Sequence, residues 1–260
     1  MIMTESELLN QVYYLSLVMS RIIGMFLIAP IFGSRIILRR VKVGLILLLA
    51  MILMPIIPTG HLSWPVDLWL FGGQLIREVT VGLIIGFTLL ITFTTIQLAG
   101  EFIDKRMGFF LASIMSPQLG AQAPIIGQFK NIMAILIFFV VGGDQKLLQL
   151  LAKSFKLIKL GQFSGSSEIF APLLRIVGDL FPLALQLALP IMGSLFLIDI
   201  ALGILARTVP QMNVFIVGLP IKIMAGMTLL FIILPNYIEV FKRFFTDGFH
   251  KIHDILNLMG

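Results

Sequence analysis

The uncharged apolar run over residues 79–100 constrains the fold of this chain more than any other feature of its sequence. A transmembrane α-helix needs about 20 consecutive, mostly apolar residues, so this run is long enough to cross a bilayer. The rest of the chain is similar, because 58% of its 260 residues are hydrophobic and only 12% are charged. A soluble domain has about 25% charged residues. The sequence therefore predicts an all-α membrane protein.

The positive charges are placed as in a membrane protein. The net charge is +6, and residues 35–42 carry four basic side chains without an acidic one. By the positive-inside rule this segment is expected on the cytoplasmic side. Because the basic residues lie between apolar segments, we interpret them as orienting the chain and expect no nucleic-acid partner. Arg21 interrupts the first apolar segment and is expected to face protein or an interface, since a charge in hydrocarbon is costly.

The segment over residues 107–124 is the strongest candidate for a functional site. It reads MGFFLASIMSPQLGAQAP, carries no charge, and is interrupted by Gly108, Pro117, Gly120 and Pro124. Backbone at bilayer depth that is neither helix nor barrel is tolerated only where protein buries it or where it lines a cavity. The pattern therefore predicts a segment that lines a pathway.

No group of residues predicts catalysis. The chain has no cysteine, which excludes disulfides and thiol chemistry. His250 and His253 have a spacing compatible with a metal, but no third ligand accompanies them. No phosphate-binding or dinucleotide-binding motif is present, so no cofactor is expected. Asp199 and Arg207 are eight residues apart, and we predict that they form a structural charge pair rather than part of a proton path.

The sequence also predicts how the helices are arranged. Gly82 and Gly86 have the spacing of close helix packing, which we interpret as general packing and not as a dimer contact. Prolines in residues 169–207 and 210–220 are expected to kink or break helices. Residues 161–167 are small and are interpreted as a hinge within one membrane-embedded domain, residues 1–260.

Two segments are amphipathic. Residues 146–159 place lysines on one side of a helix and large apolar residues on the other, as in an interfacial helix or a helix-packing face. Residues 239–260 repeat apolar side chains at helical spacing. This C-terminal segment is predicted to be a helix that lies on the membrane or on a partner.

Four segments together resemble the FliR family, a subunit of the flagellar protein export gate with the SctT type as its injectisome counterpart. They are APIFGSR with RRVKVGL in residues 29–45, EVTVGLIIGF and QLAGEFIDKRMG in residues 78–108, the Ser116-Pro117 pair, and PQMNVFIVGLPIKIMAGM in residues 210–227. The order and spacing of all four make the resemblance specific, and it extends over nearly the whole chain.

The resemblance implies a non-enzymatic subunit of the bacterial inner membrane, located in the flagellar basal body. Its hydrophobic helical hairpins, some with broken helices, would pack with FliP-type and FliQ-type subunits into a helical export gate. It would contact an FlhB-type protein and pass unfolded protein substrates. In this family the loop after the Met-Gly motif is a plug that projects into the channel.

Carried over by position, the plug includes the residues Phe109, Phe110, Leu111, Ile114, Met115 and Pro117. This sequence has Leu111 and Ile114 where aromatic residues often stand in the family, and Ser116 where an Asp often stands. We hypothesise a hydrophobic gate that excludes water from a narrow constriction. Two alternatives are a secondary solute transporter with broken helices, which would bind a solute at the midplane, and a scaffold that only nucleates assembly.

Overall fold

The computed structural model of this chain describes residues 5–34, 37–57, 67–109, 124–163, 165, 167–211 and 213–260, and within these residues every regular element is a helix. The α-helices are α1 Glu5–Ile28, α2 Arg39–Leu53, α3 Leu68–Met107, α4 Ile125–Val140, α5 Gly143–Leu157, α6 Phe170–Thr208 and α7 Val214–Met259. Short 3₁₀ turns cover Met54–Ile56 and Ser167–Ile169. The predicted all-α fold is confirmed.

Four of these helices are long and apolar enough to cross a membrane: α1, α3, α6 and α7. A fifth span is present if α4 and α5 are counted as one broken span, since they meet at 67°. The bend is at Gly142, whose φ of +66° is a left-handed conformation that glycine adopts without steric cost. The fold is thus that of a membrane protein, as its composition predicts.

The breaks in the helices differ in part from those predicted. One lies at Gly142 and another at residues 209–213, between α6 and α7. The prolines of residues 169–207 do not break the helix, because α6 runs without interruption from Phe170 to Thr208, and the other expected outcome, a kink, stays a prediction. A membrane helix accommodates proline by bending locally while the rest of its hydrogen-bond ladder continues. The prolines inside continuous helices are Pro182, Pro190, Pro220 and Pro235.

The C-terminal segment is the end of α7, which runs unbroken from Val214 to Met259. Its apolar side chains are buried within the chain rather than presented to a membrane surface or a partner. The buried residues are Phe241, Phe245, Phe249, Ile252, Ile255, Leu256 and Met259. Helical periodicity identifies an apolar face but does not say what covers it.

The chain forms two compact units, which are described separately. The first comprises residues 1–91, 142–176 and 246–260, and the second comprises residues 92–141 and 177–245. In the first unit α1 packs closely against the N-terminal half of α3. A Cβ atom on Gly82 would lie 2.8 Å from Met25 N, and one on Gly86 would lie 2.8 Å from Met25 O. The two glycines therefore serve packing within the chain, as predicted.

Helix α5 also belongs to the first unit, and its apolar face packs inside the protein. Leu147, Leu151 and Phe155 are buried. On its polar side Lys153 Nζ lies 3.2 Å from His253 Nε2 near the end of α7. Of the two interpretations of residues 146–159, the structure supports the helix-packing face.

The second unit has an aromatic core. The rings of Phe93, Phe138 and Phe245 lie 5.0–5.7 Å apart between their centroids and join α3, α4 and α7. Tyr237 on α7 donates a hydrogen bond from its hydroxyl to Leu187 O on α6 at 2.7 Å. These contacts fix the helices from which the loop of residues 108–124 emerges.

Candidate functional site

The predicted plug lies in the loop of residues 108–124, which connects α3 to α4. The structure describes only the two ends of this loop: Gly108 and Phe109 at its start and Pro124 at its end. Phe109 is half-buried. The other predicted plug residues, Phe110, Leu111, Ile114, Met115 and Pro117, lie outside the described residues. The plug role of these side chains stays a prediction, and the geometry of the site is that of the loop's base.

At the start of the loop, α3 ends in close contact with α7. Met107 is fully buried, and a Cβ atom on Gly226 would lie 2.7 Å from its Cε atom. Gly108 follows with a φ of +88°, in the region that favours glycine. A Cβ atom added to Gly108 would collide with the side chain of Leu219. Small residues on both helices thus let the loop leave α3 directly beside α7.

At the end of the loop, a carboxylate from α3 caps the first turn of α4. The residue before α4 is Pro124, which has no side-chain oxygen to accept from the free amides of that turn. Asp104 supplies this acceptor instead. Its Oδ1 accepts from Ile126 N at 3.0 Å and its Oδ2 accepts from Gly127 N at 2.9 Å. One side chain therefore ties the two ends of the loop together.

The approach of α4 to α3 at this point depends on two glycines. A Cβ atom on Gly100 would lie 2.7 Å from Gly127 N and 2.8 Å from Ile126 O. Such distances are shorter than van der Waals contact, so a side chain at Gly100 would push α4 away from α3. The glycine pair is what brings the amides of α4 within reach of Asp104.

A buried lysine lies one turn further along α4. Lys130 has no exposed surface, and its Nζ has no hydrogen-bond partner within the described part of the chain. The ammonium lies 3.9 Å from the centre of the Tyr237 ring, a cation–π geometry, and it interacts electrostatically with Asp104. Asp104 and Lys130 thus place opposite charges in the apolar interior at the base of the loop.

This arrangement was not predicted from the sequence. One signal was available, because Lys130 is the only charged residue in the 16-residue helix α4. A single charge in an otherwise apolar helix requires a partner or a polar surface.

The charge pair predicted between Asp199 and Arg207 is replaced by another. Asp199 on α6 forms an ion pair with Lys222 on α7. Eight positions along a helix correspond to about 12 Å, too far for an aspartate to reach an arginine on the same helix easily. Lys222 lies on the antiparallel neighbour across the turn. Asp199 thus forms an ion pair, as predicted, but its basic partner lies on a different helix.

Arg21 lies in a second buried network, in the first unit. It has no exposed surface, and its Nε donates to Glu78 Oε2 at 2.7 Å. Glu78 Oε1 accepts from Gly161 N at 2.8 Å, so the pair also fixes the connection that follows α5. The expectation that Arg21 faces protein is confirmed. The network anchors the first residue of the predicted hinge, residues 161–167, whose hinge function stays a prediction.

The fold and the loop define the class of this protein, which is an all-α membrane protein whose helices hold an uncharged, interrupted loop. Known proteins are similar over nearly the whole length. The family model described as bacterial export proteins, family 1, matches residues 12–248. The chain belongs to the FliR family of bacterial export proteins.

Individual relatives support this assignment. The flagellar biosynthetic protein FliR of Bacillus subtilis strain 168 is 36% identical over 250 residues, which cover 94% of this chain and 95% of that protein. The protein of the same name from Pectobacterium carotovorum is 34% identical, covering 92% of this chain and 91% of that protein. The one from Escherichia coli K12 is 28% identical, covering 91% and 90%.

Proposed function

We propose that this protein is a non-enzymatic subunit of the flagellar protein export gate in the bacterial inner membrane. In this proposal it assembles with FliP-type and FliQ-type subunits into a channel, contacts an FlhB-type protein, and lets unfolded proteins pass. The loop of residues 108–124 closes the channel between passages. Membership of the FliR family and the flagellar names of its relatives support the pathway.

The observation that carries the gate proposal is the character of this loop together with the way its base is held. The loop is uncharged, and an apolar constriction excludes water and ions. Its two ends are tied by Asp104 through two hydrogen bonds of 2.9 and 3.0 Å. A plug needs both properties, since the tip must repel water and the base must hold the tip in place.

The surfaces of α6 and α7 support assembly with partners. In the most apolar windows of these spans only 28% and 17% of residues are buried within the chain. The Asp199–Lys222 ion pair lies among exposed apolar residues and is itself partly exposed, at 31% and 25%. Charges facing hydrocarbon are costly, so a protein neighbour with polar groups suits this surface better than lipid.

The test replaces residues 109–115 with glycine and serine in the complex assembled with its partners. Removing the apolar side chains should admit water, so we expect a higher resting ion conductance in a planar bilayer. A matched control replaces Gln162 and Gly165, exposed residues of the connection between α5 and α6, with serine. Unchanged conductance in a loop variant that still assembles would contradict the gate.

A further inference from the structure

The connection after α5, in the first unit, brings exposed basic side chains together. Arg77 on α3 donates from its Nη1 to Gly161 O at 3.4 Å. Lys159 lies two residues before Gly161, a length of chain that spans about 7 Å at most. Lys156 lies in the last turn of α5. All three basic side chains are exposed, and none of them forms an ion pair within the described part of the chain. Arg77, Lys156 and Lys159 are called the cation cluster.

The backbone that carries the cation cluster is held in place by the buried network of the first unit. Arg21 Nη2 donates to Ile158 O at 3.1 Å, and Glu78 Oε1 accepts from Gly161 N at 2.8 Å. Gly161 has a φ of +71°, and a Cβ atom on it would lie 3.2 Å from Gln74 Nε2. Like charges held side by side repel each other, and a bound anion removes this repulsion. The cluster is therefore a preorganised site for an anion.

An exposed apolar strip on α3 leads to the cation cluster. Trp69 and Ile76 are seven residues apart, so they lie on one face of the helix, and they are 90% and 69% exposed. Leu70 is also exposed and stands seven residues before Arg77. Asp67 lies at the far end of the strip, where its Oδ1 accepts from Trp69 N at 3.0 Å. The strip of Trp69, Leu70 and Ile76 therefore separates this carboxylate from the cation cluster.

The combination of the two surfaces selects the kind of anion. A soluble phosphate would use the cations alone, whereas a phospholipid carries a phosphate and an apolar chain. Trp69 and Arg77 are eight positions apart, which corresponds to about 12 Å along a helix. An acyl chain extends over half of a hydrocarbon core of about 30 Å, so a lipid with its phosphate at Arg77 reaches Trp69. Tryptophan is also enriched where membranes meet water.

We propose that the cation cluster binds the headgroup phosphate of an anionic phospholipid whose acyl chain lies along the apolar strip. This site is independent of the proposed gate, because all of its residues belong to the first unit. Each basic residue near a membrane surface strengthens the attraction of anionic lipid about fivefold. A zwitterionic lipid lacks the net charge and gains little from the cluster. The protein thus has a preference for anionic lipid at one defined position.

The test measures the lipid next to Trp69. The chain has two tryptophans, so Trp64→Phe leaves Trp69 as the only one. The full chain is placed in bilayers of phosphatidylcholine that contain an increasing fraction of lipid brominated on its acyl chains, which quenches tryptophan fluorescence on contact. We expect brominated phosphatidylglycerol to reach half of the maximal quenching at a mole fraction at least tenfold lower than brominated phosphatidylcholine does.

Variants then separate the site from a general effect of charge. Arg77→Gln with Lys159→Gln removes two cations and should weaken the preference for phosphatidylglycerol about 25-fold, or abolish it. Arg77→Lys with Lys159→Arg keeps both charges and should retain the preference. The matched control is Lys105→Gln with Arg106→Gln, which removes the same charge from exposed positions at the end of α3 and should also retain it. An unchanged melting temperature in detergent verifies that each variant is folded.

Three results would overturn the lipid site. The first is equal quenching of Trp69 by the two brominated lipids in the unsubstituted cluster, and the second is an equal loss of preference in the Lys105 and Arg106 control. The third is release of phosphatidylglycerol by millimolar inorganic phosphate, because the cations would then bind phosphate without the strip. Repeating the titration on the complex assembled with its partners tests a protein occupant. Loss of the quenching there would assign the surface to a neighbouring subunit and reject lipid, whereas persistence of the preference supports the proposal.

Discussion

Replacing Arg21 with methionine should strongly destabilise the protein, because it leaves a buried carboxylate without its counter-charge. The Arg21 side chain makes three hydrogen bonds: to Glu78 Oε2 at 2.7 Å, to Ser154 Oγ at 3.1 Å and to Ile158 O at 3.1 Å. Neither member of the ion pair has exposed surface. Removing one partner of such a pair costs about 3–5 kcal/mol.

A double-mutant cycle combines Arg21→Met with Glu78→Gln. The second substitution removes the negative charge but keeps an oxygen that accepts from Gly161 N. On its own it should cost about 3–5 kcal/mol of unfolding free energy, because it leaves the buried Arg21 guanidinium without its counter-charge. Combined with Arg21→Met it removes the orphaned charge. The double variant should therefore be more stable than Arg21→Met alone, with a coupling energy of about 2 kcal/mol or more.

The assay is the apparent melting temperature of the full chain in detergent, read as the fraction that stays monodisperse after heating. At about 2–4 °C per kcal/mol, Arg21→Met should melt roughly 6–20 °C below the wild type. Arg77→Met is the control, since Arg77 is exposed and its bond to Gly161 O is long, at 3.4 Å. The reasoning is refuted if Arg21→Met melts like Arg77→Met, or if the double variant is no more stable than Arg21→Met.

Three further predictions concern packing and polar contacts. Gly82→Ala should lower the melting temperature, because the added Cβ atom would collide with the backbone of α1. Gly72→Ala is the control on the same helix: its Cβ atom would meet open space, so this variant should be neutral or stabilising by about 0.5–1 kcal/mol. Tyr237→Phe should lower the free energy of unfolding by about 1 kcal/mol, because the hydrogen bond to Leu187 O on α6 is lost. Tyr237→Leu should lower it further, because the cation–π contact with Lys130 is also lost. Denaturant unfolding of both variants measures this difference. Lys222→Gln should reduce the amount of FliP-type and FliQ-type subunits that co-purifies, because it leaves the Asp199 carboxylate without its ion pair on an apolar surface. Lys222→Arg keeps the ion pair and should preserve co-purification. Equal recovery of the partner subunits with both variants would contradict the prediction.

Much of the architecture was predictable from local sequence. The uncharged apolar run over residues 79–100 located the spanning helix α3. Arg21 was correctly expected to face protein. Each of these inferences depends on properties of a short segment, such as its hydropathy or its charge.

The candidate site was predictable only as a location. The uncharged and interrupted character of residues 107–124 marked the loop, but not how its ends are held. Asp104 is 22 residues from the first amide that it caps, and Lys130 meets a ring on α7 more than one hundred residues later. The predicted partner of Asp199 was on its own helix, while the observed partner, Lys222, is on the next one.

The sequence by itself determined that this chain is a helical membrane protein of the FliR family with an apolar loop between two spans. Hydropathy and motif spacing are properties of consecutive residues, so they can be read without a fold. The tertiary structure decided which charges meet inside the protein, because helix packing brings together side chains that are distant in the chain. Arg21 and Glu78 are 57 residues apart and yet 2.7 Å from each other. The same physics joins Asp104 to the start of α4, since Gly100 and Gly127 allow the two helices to touch.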